Sequence, residues 1–539
     1  MHQPTWLKDA VFYQVYPQSF CDSNGDGIGD LNGLSSRLDY IKGLGVTALW
    51  LNPIFESPFG DAGYDVSDFR KVAPRYGTNA DAVRLFREAH KRGLKVVLDL
   101  VAGHTSDRHP WFRQACRGAD NPLSNRYIFT GDEPYLPPFG GKAPKVPGRR
   151  GGHYIANFLP FQPALNYGHA EPDPARPWQL PAEHPDCLTT RAELRDIMAF
   201  WLGLGCDGFR VDMASSLVKG ENNAAALGRL WQGFRGWFDR EHPEAVLVSE
   251  WSSPIEAIDA GFHIDFLIHF GETAYMPLIG PGNRLCGKSR RPHVFFERAG
   301  EGDITLFLHN YLRLHNATKG RGYISLPTGN HDFARPRRGR DPDELRVLYT
   351  MLFTMPGVPF LYYGDEIGMR NLDGIAQKEG SMWRAGNRTP MQWAGGAPNL
   401  GFSTAPKKKL YLPLDPAPDA PTVSAQEADP DSLLHFTRGL IALRQAHPAL
   451  GNDGGFRPLY ASRISYPFIY ERSSGTTRFA VVINPGEADV AIELAGLERA
   501  RTIFGDGVKI RGKSVSVRGV SAAVLKLPAT RSGRSAFPK

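Results

Sequence analysis

Eight short apolar runs, rich in β-branched residues and separated by stretches with helical spacing, constrain this chain more than any other feature. They fall at residues 11–16, 46–51, 95–101, 208–212, 246–250, 264–267, 323–328 and 359–363. Runs of this length bounded by turn residues read as strands buried on both faces, the kind that parallel sheets with crossover helices contain. Helical patterns at 34–44, 79–92, 191–204, 225–240 and 343–354 supply crossovers. Eight strands with interposed helices predict an α/β fold, a (β/α)8 TIM barrel whose functional side chains gather at the C-terminal ends of the strands. The rival, a doubly wound dinucleotide-binding sheet, would carry GxGxxG after its first strand, and none is there.

Two stretches break the repeat. Residues 104–170 follow the third strand, are rich in Pro, Gly and aromatics, and predict a loop-rich subdomain inserted into the barrel. A second insertion follows the eighth strand at about 368–430 and is expected to bring Trp383 and Trp393 to the barrel rim. From 455 to 539 the pattern changes to short alternating runs (FIYERS, RFAVVINP, VAIEL, SVSVRG, AAVLKL) between Gly, Pro and Asx turns, which predicts a C-terminal antiparallel β-sandwich ending in a frayed tail. The barrel then takes residues 1–103 and 171–454.

With 42% hydrophobic and 22% charged residues, the composition excludes disorder and a fibrous fold. The net charge of +7 is spread along the chain, so no nucleic-acid partner is expected. No window approaches 18 uninterrupted apolar residues, and no membrane association is expected either. The N-terminal residues lack a basic-then-apolar leader, and Cys21, Cys116, Cys187, Cys206 and Cys286 form no CxxC pair. Reduced thiols, a cytoplasmic location and a monomer or homodimer are the corresponding expectations.

Three carboxylates mark the predicted strand ends: Asp212 in DGFRVDMA, Glu250 in LVSEW and Asp332 in TGNHDF. An acid at a strand end commonly caps the next helix or pairs with Arg. Three at one barrel mouth are different, because converging like charges are costly unless the chemistry uses them. Two carboxylates hydrolyse a glycoside by double displacement, one as nucleophile and the other as acid and then base. Arg210 precedes Asp212 by two in a strand, shares its face and is expected to hold that carboxyl low. Trp251 beside Glu250 offers the apolar surroundings that raise a carboxyl pKa. His104 and His331, at strand ends three and seven, are candidate donors to sugar hydroxyls.

The motifs YQVYPQSFCDSNGDGIGDL, LGVTALWLNPI, GYDVSDF, DLVAGHTS, DGFRVDMA, GNHD, PGVPFLYYGDEIGM and NRTPMQW, with the Glu of SEW, span nearly the whole chain. In order and position it resembles the α-amylase superfamily of glycoside hydrolases (family 13), near the α-glucosidase, oligo-1,6-glucosidase and trehalose-synthase branch. The resemblance implies Asp212 as nucleophile, Glu250 as general acid/base and Asp332 as the third carboxylate, acting on the 2- and 3-hydroxyls. It further implies that Arg210, His104 and His331 line the same subsite, with Tyr64 as stacking platform and Asp65 gripping a terminal glucose. Phe158, an aromatic near the return of the inserted segment to the barrel, is expected to wall one side of the mouth. The implied substrates are α-glucosides of di- or short-oligosaccharide size, with no organic cofactor. A transglucosylase, a trehalose-synthase-like isomerase and an endo-acting α-amylase are the alternatives. A non-catalytic relative would have lost the acids, and all three are present.

Departures from the family pattern are local. Gly103 stands where Asn usually supplies a calcium ligand, Ala164 replaces the acid of QPDLN, and Phe333 replaces a frequent Gln. Met213, after the nucleophile position, is neither the Val of α-1,6 preference nor the Ala or Thr of α-1,4 preference, and leaves linkage open. Independently of the family, Asp22, Asn24, Asp26, the Ile28 carbonyl and Asp30 occupy positions 1, 3, 5, 7 and 9 of an EF-hand-like series, with Gly27 at the turn. The twelfth position is Gly33, so the bidentate Glu is missing, and a structural calcium ion would complete its shell elsewhere.

Overall fold

The computed structural model describes residues 2–135, 143–268, 270–271, 275–280, 293–463 and 465–529. Cys286 and the tail expected to fray lie outside them. All eight predicted barrel strands form: β1 (Phe12–Val15), β2 (Ala48–Leu51), β3 (Lys95–Leu100), β4 (Gly208–Val211), β5 (Val246–Ser249), β6 (Ile264–Phe266), β7 (Tyr323–Ser325) and β8 (Phe360–Tyr362). They pair in parallel in the order β7-β6-β5-β4-β3-β2-β1-β8. Between β7 and β8 the seam is closed by two main-chain bonds, Thr328 N–H to the Phe360 carbonyl (2.9 Å) and Val358 N–H to the Ile324 carbonyl (3.3 Å). Pro327 interrupts the ladder there because it has no N–H to donate.

The crossover helices start where their caps dictate. Asn79–Lys91 opens on a reciprocal capping box between Thr78 and Asp81, and Pro342–Thr354 on one between Asp341 and Glu344. The helix predicted over 34–44 is two shorter ones, Leu31–Ser36 and Leu38–Gly43, parted at Arg37, whose guanidinium lies 4.3 Å above the Trp393 ring. Their start at Leu31 follows from Asp30, which caps the first by accepting the Gly33 N–H at 2.7 Å. Trp393 is therefore not at the rim. It is 4% exposed, donates its indole N–H to the Phe20 carbonyl, and packs edge-on against Phe20 and Tyr40.

Among the described residues, the 104–170 segment contains a short helix, Pro110–Ala115, capped by His109, and a short hairpin, Phe129–Gly131 against His153–Tyr154, joined by loops. The segment is tied back to the barrel by the Leu165 N–H to Gly103 carbonyl bond (3.0 Å) and a bridge between His104 and Ala164. The C-terminal strands β9 (Gly455–Tyr460), β10 (Phe468–Ser474), β11 (Thr477–Asn484), β12 (Val490–Glu493), β13 (Arg501–Gly505), β14 (Val508–Arg511), β15 (Ser514–Val517) and β16 (Ser521–Lys526) form two antiparallel sheets, β9-β10-β11-β16-β13 and β12-β15-β14. Ile469, Val482 and Leu525 of the larger sheet meet Val515 and Val517 of the smaller. Its other face, with Phe468, Tyr470, Val481 and Val524, joins the barrel core. Burial on both faces explains why RFAVVIN is nearly continuous in apolar residues. Among the described residues, no helix is long and apolar enough to cross a membrane.

Candidate active site

The barrel places Arg210, inside β4, at the centre of its C-terminal mouth. One Nη1 bonds Asp99 of β3 (2.8 Å) and Asp212 just beyond β4 (3.0 Å), and Nη2 bonds Glu250 just beyond β5 (2.8 Å). Glu250 also accepts the Met213 N–H at 2.9 Å, and Met213 holds φ at +45°, a left-handed value that a bulky side chain rarely adopts. Asp212, Glu250 and Asp332 are 7%, 7% and 9% exposed, so the acids that sequence places at one mouth are all nearly withdrawn from solvent.

Burial pushes the Asp212 carboxyl well up, with the Glu250 charge adding to it against Arg210. This corrects the expectation that Arg210 holds Asp212 low. The reason is burial first, and then charge: the one guanidinium that opposes it is shared among three carboxylates. Glu250 is raised as well, again by burial first, with Arg210 opposing. The Trp251 ring is directed to Phe262, 6.3 Å between centroids. Asp332 behaves in the opposite way. Burial works against its charge, but His331, Arg384, Arg388 and Arg210 outweigh burial and hold the carboxyl well below the usual range.

His331 is fixed from both sides of its ring. Nδ1 faces the Gln14 amide nitrogen at 3.0 Å and so acts as acceptor, which leaves the Nε2 proton directed at the Tyr64 oxygen (2.7 Å) and Asp332 (3.1 Å). Tyr64 lies parallel to that ring at 5.4 Å, and its hydroxyl donates to Asp99 at 2.9 Å. His104 sits beneath, with Nε2 on the Tyr64 carbonyl and Nδ1 accepting from the Asn157 amide, and burial lowers its pKa to about 4. Phe158, in contrast, stands out at 39% exposed.

Asp65 is buried, but its oxygens are taken up by the Ser57 hydroxyl and the N–H groups of Gly60 and Asp61. The carboxylate that reaches the site is its neighbour Asp61, which accepts from Gln162 at 2.9 Å and pairs with Arg384 at 3.4 Å. Arg384 also bonds Asp332, and Arg388 bonds Asp332 at 3.2 Å and the His331 carbonyl at 2.7 Å. Sequence reasoning missed Asp61, Asp99, Gln162, Arg384 and Arg388. Asp99 left a signal, a charge inside an otherwise apolar strand, and Arg388 lies in NRTPMQW. Trp383 lines a cavity of about 540 Å³ beside Asp332, together with Phe333 and Met382.

The 22–30 loop is a ladder of turn hydrogen bonds. Asp22 accepts the N–H groups of Asn24, Gly25 and Gly27 and the Ser403 hydroxyl, Asn24 accepts from Asp26, and Asp26 from Ile28. Asp30 faces Ser23 and the helix start. Among the described residues no three His, Cys, Asp or Glu side chains gather as a metal-holding group.

The description "Alpha amylase, catalytic domain" matches residues 14–263 and 300–453. The chain belongs to the α-amylase family. Within it, the chain is 33% identical over 502 residues to trehalose synthase/amylase TreS of Mycobacterium tuberculosis, covering 86% of this chain and 78% of that one. It is 32% identical over 543 residues to oligo-1,6-glucosidase of Parageobacillus thermoglucosidasius, covering 89% and 91%. The fold superposes on the trehalulose synthase MutB of Pseudomonas mesoacidophila MX-45 with a TM-score of 0.81 and 27% identity, covering 98% of this chain and all of that one. The barrel, the C-terminal β domain and glycoside-hydrolase kinship of this α-amylase-family chain are thereby fixed.

A carboxyl held below its unfolded value adds stability above that value, and the gain is lost as pH falls through the folded pKa. Asp332→Asn should therefore lower the thermal midpoint at pH 7. The gap to wild type should narrow below about pH 4, where the unfolded carboxyl takes a proton while the folded one stays ionised. Differential scanning calorimetry across pH checks this, and a gap independent of pH contradicts it.

Proposed function

We propose that the protein is a retaining, exo-acting α-glucosidase that cleaves di- and short oligosaccharides. The observation that carries this is the pair Asp212 and Glu250, on adjacent strands and joined through one guanidinium. In the first step an Asp212 oxygen attacks the anomeric carbon while Glu250 gives its proton to the leaving glycosidic oxygen, so that a glucosyl ester forms as the glycosidic bond breaks. In the second, Glu250 takes a proton from water, the hydroxyl oxygen bonds the anomeric carbon, and Asp212 leaves. Two inversions retain configuration. The raised pKa of both groups suits a pair that shares one proton, with the reactive arrangement placing it on Glu250. In this reading the ionised Asp332 meets sugar hydroxyls while His331, Arg384 and Arg388 hold it in place.

An exo mode is supported by Arg384, which spans Asp332 and Asp61, and by Phe161, whose ring carbon would lie 2.9 Å from a Cβ at Gly60. In this reading they narrow the space beyond the cleavage point, so that a terminal glucose is favoured over a continuing chain. A cytoplasmic enzyme is supported by the buried free thiols of Cys21, Cys116, Cys187 and Cys206.

The second reading, a trehalose-synthase-like isomerase or transglucosylase, is favoured by the likeness to TreS and MutB. It uses the same glucosyl ester and differs only in whether water or a sugar hydroxyl reaches it. Maltose, isomaltose, sucrose, trehalose and soluble starch, with products followed by proton NMR, separate the readings. α-Glucose as first product and a higher kcat/KM per chain end for disaccharides than for starch support the first. A disaccharide product supports the second, and internal cleavage of starch points to an endo amylase. β-Glucose released first from an α-linked substrate rejects retention. Asp212→Asn should lower kcat by roughly four or more orders of magnitude without unfolding, as when a covalent step is deleted. A tenth of the wild-type rate surviving would remove Asp212 from that role.

The reading includes a structural calcium ion in the 22–30 loop, on the strength of its ligand series. An ion that binds only the folded state stabilises it by mass action. EDTA should lower the thermal midpoint and leave initial activity at moderate temperature intact, whereas an unchanged melting curve favours a plain turn.

A further inference from the structure

Strand β6 carries a carboxylate that the chemistry above does not use. Asp265 is fully buried and, among the described residues, has no ion-pair partner. Its register partner in β5 is Ser249, the last residue before Glu250. Four donors from this one segment converge on it: the Ser249 hydroxyl (2.7 Å), the N–H groups of Trp251 (3.2 Å) and Ser252 (3.3 Å) on Oδ1, and the N–H of Ser253 (2.8 Å) on Oδ2.

A buried carboxylate without a cation is expensive, and burial raises the Asp265 pKa to about 7 despite those four bonds. An apolar side chain would fill the strand position at lower cost. What the carboxylate does is local. The chain leaves β5 by a tight turn in which Ser252 adopts φ +54°, and three successive N–H groups lose their ladder partners in a water-poor interior. Asp265 collects all three and binds the preceding side chain as well, so the residues on both sides of Glu250 are held by one anion.

We infer that Asp265 is a positioning residue for the general acid: by gathering the 249–253 segment it fixes the direction in which Glu250 leaves the end of β5. This rests on the reading of Glu250 as acid/base. A loose acid hurts substrates in proportion to their need for a proton. The loss therefore depends on the leaving group, whereas a merely structural defect affects all substrates alike.

The test compares kcat/KM for the preferred disaccharide with that for 2,4-dinitrophenyl α-glucoside, whose leaving group departs unprotonated. Asp265→Asn should lose about 10- to 100-fold on the disaccharide and less than about threefold on the aryl glucoside, a fraction of what removing a general acid costs. Its thermal midpoint should stay within a few degrees of wild type. Ser249→Ala removes a single bond to Asp265 and should show the same selectivity at about three- to tenfold, and it decides the matter if the Asp265 variant does not fold. Equal losses on both substrates, or none, overturn the inference. Glu250→Gln is the control for the reading beneath it. If that variant spares the aryl glucoside, Glu250 is the acid and the Asp265 result stands on its own. An equal loss in Glu250→Gln removes the acid role from Glu250 and the inference with it.

Discussion

The guanidinium of Arg210, buried among Asp99, Asp212 and Glu250, is the interaction on which the rest of the site depends. Each carboxylate comes from, or directly follows, a different strand, so β3, β4 and β5 must stand in parallel register for one side chain to reach all three. Bringing them together without the cation would leave buried like charges uncompensated, a cost of several kcal/mol per ion. With it, two negative charges remain in excess and add to burial, the main cause, in raising Asp212 and Glu250.

The opposite balance prevails around the third carboxylate. Asp332 has His331, Arg384 and Arg388 around it, and stays ionised. One mouth thus holds two electrostatic regimes, cation-poor around Asp212 and Glu250 and cation-rich around Asp332. The barrel supplies the first from its strands. The segment after β8 supplies the second, since both Arg384 and Arg388 lie in it.

This division explains what the sequence made legible. Strands announce themselves by short apolar runs, and an acid at the end of a run has its location fixed by the barrel, so Asp212 and Glu250 were readable from spacing. Loops carry no such period. Asp61 and Asp65 are four residues apart in one turn, and only the folded turn shows that Asp65 accepts its own loop's N–H groups while Asp61 meets Arg384. Trp393 was misplaced for the same reason, because a tryptophan in an insertion reads equally as rim or as core. Asp265 was concealed differently. It sits inside a strand run, where pattern reading counts it as an interruption and cannot see the main-chain donors across the sheet.

The departures from the family pattern make physical sense together. A Cβ at Gly103 would lie 2.7 Å from the Asn157 amide nitrogen and 2.9 Å from the Ser216 hydroxyl, so the space a larger side chain would claim is already filled. Asn157, from the inserted segment, uses that position to donate to His104 and Ser216, and its oxygen accepts the Lys219 ammonium at 2.8 Å. Ala164 brings no carboxylate to this cluster, and burial lowers the Lys219 pKa to about 7. Gly103, Asn157 and Lys219 therefore act as one unit: the Asn157 amide donates to His104 Nδ1 through its nitrogen and accepts from the Lys219 ammonium through its oxygen, while the Tyr64 carbonyl meets the other nitrogen of the ring. The inserted segment is thus fastened to the barrel beside His104, whose Nε2 in turn meets the main chain of Tyr64, the residue whose hydroxyl bonds Asp99 and His331.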